Sequence, residues 1–225
     1  INCRHGENWD TGFLGDLFKT RLGGARVLDG IVEVENLFAG LLVFFGTHYY
    51  TAFRSRDENS FAARIGRGPY MGLYSLLTAA GFIAKVWGYG MLKPWIPLAV
   101  PPNWTRHIAM TLMLPAMVLI VATYMPPAGF IKKAAKHPML LAVKIWALAH
   151  LIANWDLASV ILFGSFLIYG VVDRIAVKRR GDVGAANIKP NVLGDLLSIA
   201  VGLALYLLFI YEVHYMLIGV DVLAG

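Results

Sequence analysis

Apolar residues run along this chain in long blocks separated by short polar stretches. The blocks have the length of membrane-crossing helices rather than strands. The first is 37–53, LFAGLLVFFGTHYYTAF, and Glu33 and Glu35 argue against extending it back through 31–34. The second, 69–90, is interrupted only by Lys85, and the proline-rich loop after it lies between Trp95 and Trp104, as at a membrane interface. The third is 105–124, with a kink expected at Pro115. The fourth, 138–153, opens with a His-Pro step, where the missing N–H of Pro138 costs nothing in the first turn. At ~1.5 Å per residue it is ~24 Å long, slightly short for a hydrocarbon core of ~30 Å. The fifth, 157–177, follows a very short turn, so these two form an antiparallel hairpin. The sixth is 192–218.

This pattern predicts an all-α polytopic transmembrane bundle of about six spans over 37–225. Residues 1–36 differ: they are polar and glycine-rich, with room for one short amphipathic helix around Phe13, Leu14, Leu17 and Phe18. They read as an extension outside the main domain, and the absence of an initial Met leaves open whether they are native.

Composition agrees. The chain is 58% hydrophobic and 15% charged, against roughly 25% charged in soluble domains. Its formal net charge of +6 raises nucleic acid as a partner. The placement of the charges favours a lipid bilayer instead. Arg54, Arg56, Arg64 and Arg67 follow the first block, and Lys132, Lys133 and Lys136 follow the third. Arg174, Lys178, Arg179, Arg180 and Lys189 surround the loop after the fifth. The alternate loops hold only Lys93 and Arg106. Basic loops stay in the cytoplasm, which puts both ends of the bundle outside. Cys3 is the single cysteine, which excludes an intramolecular disulfide or a cysteine-rich metal site. No Gly-rich phosphate loop, GxSxG elbow or HExxH helix occurs.

The candidate chemistry lies in the histidines. His5 is in the extension, and His107 and His214 fall near block ends, where a histidine is cheap. His48 lies about 16 Å from the outer end of the first block and His150 about 18 Å from the inner end of the fourth, so both come near mid-membrane. Two neutral imidazoles on facing helices are what a haem iron takes as axial ligands. Phe44, Phe45 and Trp146, each about one turn away, suit a macrocycle. A buried histidine satisfied by an interhelical hydrogen bond is the other reading of the same residues. His137 sits at the inner interface as a cap or a propionate contact. Lys144 is close enough to the inner edge to snorkel, whereas Lys85 is less easily explained.

GTHYYTAFR, ARIGRGPYMGLYSLL, VWGYG and HPMLLAVKIWALAHLIAN, with the helix that follows, resemble the NnrU family of bacterial membrane proteins over about 37–219. That family is similar to the plant 15-cis-zeta-carotene isomerases, membrane enzymes that use haem b held by two histidines. Their motifs fall here on His48, Ile65, Gly66, Tyr70, Leu73, His137, Trp146 and His150. The resemblance implies haem b ligated by His48 and His150. The propionates would then face Arg54 and Arg56, the nearest guanidinium donors on the inner side. It also implies cis-trans isomerisation of a linear polyene, in a slot near Phe44, Tyr74 and Trp146. Tyr49 and Tyr50 stand where the isomerases have small residues, which narrows that entrance. The name of the NnrU branch points elsewhere, to a non-enzymatic accessory of denitrification that senses nitric oxide or handles haem. A haem-free scaffold is a third reading; a membrane methyltransferase, without any cofactor signature, is a weaker fourth.

Overall fold

The structure, a computed structural model, describes residues 25–54, 60–91 and 96–223. His5, the apolar residues around Phe13, Arg56, Lys93 and Trp95 lie outside these. The described chain is all-helical. Its long helices are α1 (Ala25–Phe53), α3 (Arg67–Met91), α4 (Asn103–Tyr124), α6 (Pro138–Ala153), α7 (Leu157–Arg179) and α8 (Val192–Leu208). The short α2 (Phe61–Ile65) precedes α3, and α5 (Phe130–Ala135) precedes α6. Helix α8 continues through a π-helical turn, Phe209–Val213, into α9 (His214–Ile218).

The long helices follow the expected apolar blocks one for one. Three are long and apolar enough to cross a membrane by length and composition: Asn103–Tyr124, Leu157–Arg179 and Val192–Ile218. Pro138–Ala153 is apolar but shorter. Helix α1 starts well before residue 37, with Glu33 and Glu35 inside it, so acidic residues in its N-terminal half do not break the helix. Helix α4 continues through Pro115. Many large apolar side chains point outward, among them Leu42, Leu76, Ile83, Trp87, Met216 and Leu217. Outward apolar surface on this scale suits contact with lipid rather than water.

The helices pack in a row ordered α3, α1, α7, α6, α4, α8. The α1–α3 crossing is the tightest, because glycines remove the side chains that would hold the backbones apart. A Cβ on Gly81 would lie 2.7 Å from the backbone nitrogen of Phe44, and Gly40 and Gly88 press on the backbones of Lys85 and Leu37. By contrast, α1 meets α7 lightly, through aromatic rings. The α6–α7 hairpin turns through Asp156, whose carboxylate caps α7 by accepting from the Ser159 amide at 2.8 Å. The α3–α4 loop lies on this turn, with Leu98 N–H donating to the Trp155 carbonyl at 2.9 Å and Leu157 N–H to Ile96 at 2.9 Å. At the opposite end, Asp195 of α8 accepts from the amides of Phe130 and Ile131, both at 2.9 Å, and so caps α5 from a distance.

Candidate functional site

Helices α1, α3, α6 and α7 enclose the main apolar cluster, built on Leu37, Leu41, Phe44, Phe45, Tyr89, Leu162 and Phe163. Its aromatic layer has a simple origin in the sequence. Phe44, Phe45 and His48 occupy one stripe of α1, Trp146 and His150 one stripe of α6, and Phe163, Phe166 and Tyr169 one stripe of α7, each at helical spacing. Tyr89 of α3 ties into this layer through a buried hydrogen bond, 2.9 Å, to the Ser159 hydroxyl of α7.

Both candidate histidines lie at the edges of this layer, partly buried. Each has its Nδ1 against the carbonyl four residues earlier: His48 on Phe44 at 2.7 Å and His150 on Trp146 at 2.9 Å. Nδ1 must carry the proton to donate there, which leaves the Nε2 lone pair free in both rings. Each imidazole is also stacked. His48 lies 4.2 Å from Phe44 at 27°, and His150 lies 4.5 Å from Phe163 at 28°. Tyr74 and Tyr169 flank His48 at 5.6 and 5.5 Å. The tautomer and ring orientation are therefore set before any ligand arrives, which is what metal-ligating histidines require of their surroundings.

The two rings are not directly apposed. Helix α7 stands between α1 and α6 in the row, so spans one and four are not the close neighbours expected from sequence. The depth argument also shifts, because it counted from residue 37 while α1 begins at Ala25, and His150 falls in the last turn of α6. A chain of ring contacts joins the pair instead: His48 to Phe44, Phe44 to Phe166 at 5.5 Å, Phe166 to Trp146 at 5.0 Å, and Trp146 to His150 at 5.0 Å. The donor set fits a bis-imidazole haem in atom type and tautomer. For a macrocycle to reach both, α7 rings must give way, at the lightly packed α1–α7 contact.

Of the other expected site residues, Trp146 lies in the layer, between Phe163 at 5.1 Å and Phe166 at 5.0 Å. Arg54 stacks its guanidinium over Tyr70 at 4.7 Å, and its buried Nε has no hydrogen-bond partner. Tyr70 is in turn hydrogen-bonded to Thr51 at 3.0 Å. His137 precedes α6 without a side-chain cap; its Nε2 lies 3.3 Å from the Asp182 carbonyl, among the loops before α6 and after α7 rather than in the aromatic layer. Sequence reasoning missed Arg180. It reaches from the end of α7 to the Ala52 carbonyl at the end of α1, and its Nε too is buried without a partner. Only its place in a basic cluster hinted at it. Among the described residues no group of three or more His, Cys, Asp or Glu side chains could hold a metal ion. A lateral groove lined by Asn36, Ala80, Ile83, Ala84 and Trp87 includes none of the histidines.

The NnrU protein family model matches residues 36–222. No curated protein and no solved structure matches the chain. The chain therefore belongs to the NnrU family, and its apolar helices mark it as a membrane protein of that family.

Proposed function

We propose that this NnrU-type protein binds haem b through His48 and His150, in the inner membrane of a bacterium, and acts on a cis double bond of a linear polyene. The observation that carries the haem reading is the matched pair of Nδ1-to-carbonyl bonds, which leave both Nε2 atoms as acceptors at the edges of an aromatic layer. Phe44, Trp146, Phe163 and Phe166 supply the flat apolar surfaces a macrocycle packs against. Arg54 and Arg180, each with an unpaired buried Nε near the inner end of α1, are the guanidinium donors for propionates. When bound, haem supplies a redox centre whose electrons lower the barrier to rotation about a conjugated double bond. The chain's own part is to hold the ligating nitrogens and keep water out.

The polyene reading rests on the resemblance to the isomerases and on the aromatic side chains around His48, with the Tyr74 ring 5.6 Å away. The visible spectrum of the full chain, purified after expression with ample haem, tests the first half. A Soret band with a low-spin six-coordinate form is expected. His48→Ala and His150→Ala should each abolish that form, and His107→Ala and His214→Ala should keep it. A wild-type protein without a Soret band, or a low-spin spectrum that survives both ligand substitutions, overturns it. Pigment analysis in the dark, in cells that accumulate the cis polyene, tests the second half: an unchanged isomer ratio with full haem loading rejects the isomerase.

A further inference from the structure

Lys85 is the most enclosed ionisable group in the described chain, 2% exposed. Near the outer end of α3 a lysine would be expected to snorkel toward the surface. Its backbone lies against Gly40 of α1, but the side chain follows the Cβ direction toward the helix N-terminus and runs inward. Its Nζ ends 3.4 Å from the centre of the Phe44 ring and 3.9 Å from that of Phe166, with Phe82 at 5.0 Å and Phe45 at 5.9 Å. It has no hydrogen-bond acceptor. Aromatic faces attract an ammonium, but they leave its N–H donors without an oxygen. A buried donor without an acceptor is costly and rare, and an anion is the partner that completes it.

The rings that hold Nζ also belong to the α1–α7 contact, since Phe44 and Phe45 come from α1 and Phe166 from α7. That contact is light, whereas the α1–α3 side that presents Lys85 is locked by glycines. The amine is thus fixed on the rigid pair and faces the seam that can part. The rings around it are apolar, and the ionisable neighbour beyond them is His48, stacked on Phe44.

We infer that Lys85 is a binding site for the carboxylate end of a ligand with a large apolar body, lodged between α1 and α7. The ammonium takes the carboxylate, and the phenylalanine faces take the hydrocarbon. Two sources carry this chemistry, a membrane-borne fatty carboxylate and a haem propionate, which would then meet Lys85 in place of Arg54 or Arg180. The fatty-carboxylate arm does not depend on the haem reading, which stands or falls on the Soret band.

The experiment uses the full chain, stripped of haem, in phosphatidylcholine nanodiscs, with empty discs subtracted. Equilibrium binding is measured for two pairs: palmitate against hexadecanol, and haemin against haemin dimethyl ester. The acid of at least one pair should bind about tenfold or more tighter than its neutral partner, as a charge-assisted bond to a buried donor requires. Lys85→Met should erase that preference and Lys85→Arg should keep it. Methionine has a similar volume and needs no acceptor, so the variant should stay folded, as circular dichroism and size-exclusion will show. The pair that shows the effect identifies the source. If neither pair shows an acid preference, or if Lys85→Met retains it, Lys85 is only a packed lysine and the inference is overturned.

Discussion

His48 and His150 are the candidate ligands at the scale of single residues, and the sequence singles out both as candidates. Their acceptors were legible in principle too, since a carbonyl four residues back is within reach of any helical imidazole. Whether a ring turns to use it depends on what packs against its other side. Phe44 stacks on His48 and Phe163 on His150, and the second of these comes from another helix, which no local pattern reveals. The same limit hid the partners of Asp195. It reads as an acidic residue in the first turn of α8, yet it caps α5 across the inner face. Asp195→Ala should leave two amides uncapped and cost about 1–2 kcal/mol. A lower thermal midpoint with unchanged helix content would be the sign of it; an unchanged midpoint would mean that water replaces the carboxylate at no cost. The Tyr89–Ser159 bond is buried. Tyr89→Phe strands the Ser159 hydroxyl and should cost about 1–3 kcal/mol, much of which Tyr89→Phe with Ser159→Ala should recover. Strictly additive losses in that double-mutant cycle would contradict the coupling.

Elements were the most legible level, because apolar runs and their polar breaks set helix positions directly. Helix α6, Pro138–Ala153, matches the apolar block expected from sequence to the residue. Helix α1 does not, because hydropathy marks where a segment is apolar, not where its backbone hydrogen bonds start. Pairing was less legible. The chain has 23 glycines, and their spacing in sequence does not say which of them meet another helix. The structure separates them. A Cβ on Gly40 meets the backbone of Lys85, whereas one on Gly46, less than two turns along the same helix, meets nothing within 4 Å. One substitution should therefore have opposite signs at the two sites. Gly46→Ala should be neutral or stabilise by up to about 1 kcal/mol through helix propensity. Gly40→Ala must force α1 and α3 apart and should destabilise by about 1–3 kcal/mol. Equal effects in a denaturant or thermal series would show that the crossing is looser than the glycines indicate.

At the scale of the whole molecule, the row of helices makes the membrane arrangement testable with few labels. Helix α4 is long and apolar enough to cross by itself, so the exposed residues Val100, in the loop before it, and Ala134, in α5 after it, belong on opposite faces. Helix α3 is long but carries Lys85 and several polar aromatics, and it is not among the helices that qualify by length and composition. Its crossing is one weak point of a six-span arrangement, beside those of α1 and α6, which do not qualify either. The fold supplies a reason for α3 to cross anyway. Its glycines lock it along α1, and Lys85, the charge that would oppose insertion, is covered by phenylalanine rings instead of facing lipid. Ala63, exposed between α1 and α3, must then share a face with Ala134. The basic residues Arg54, Arg64, Arg67, Lys132, Lys133 and Lys136 border those same two loops, and positive charge is retained in the cytoplasm. In a Cys3→Ser background, Ala63→Cys and Ala134→Cys should resist a membrane-impermeant maleimide in intact cells, and Val100→Cys should react. If Ala63→Cys reacts together with Val100→Cys, α3 does not cross and the six-span arrangement fails. If Ala134→Cys reacts and Val100→Cys does not, the helices cross but the orientation is inverted.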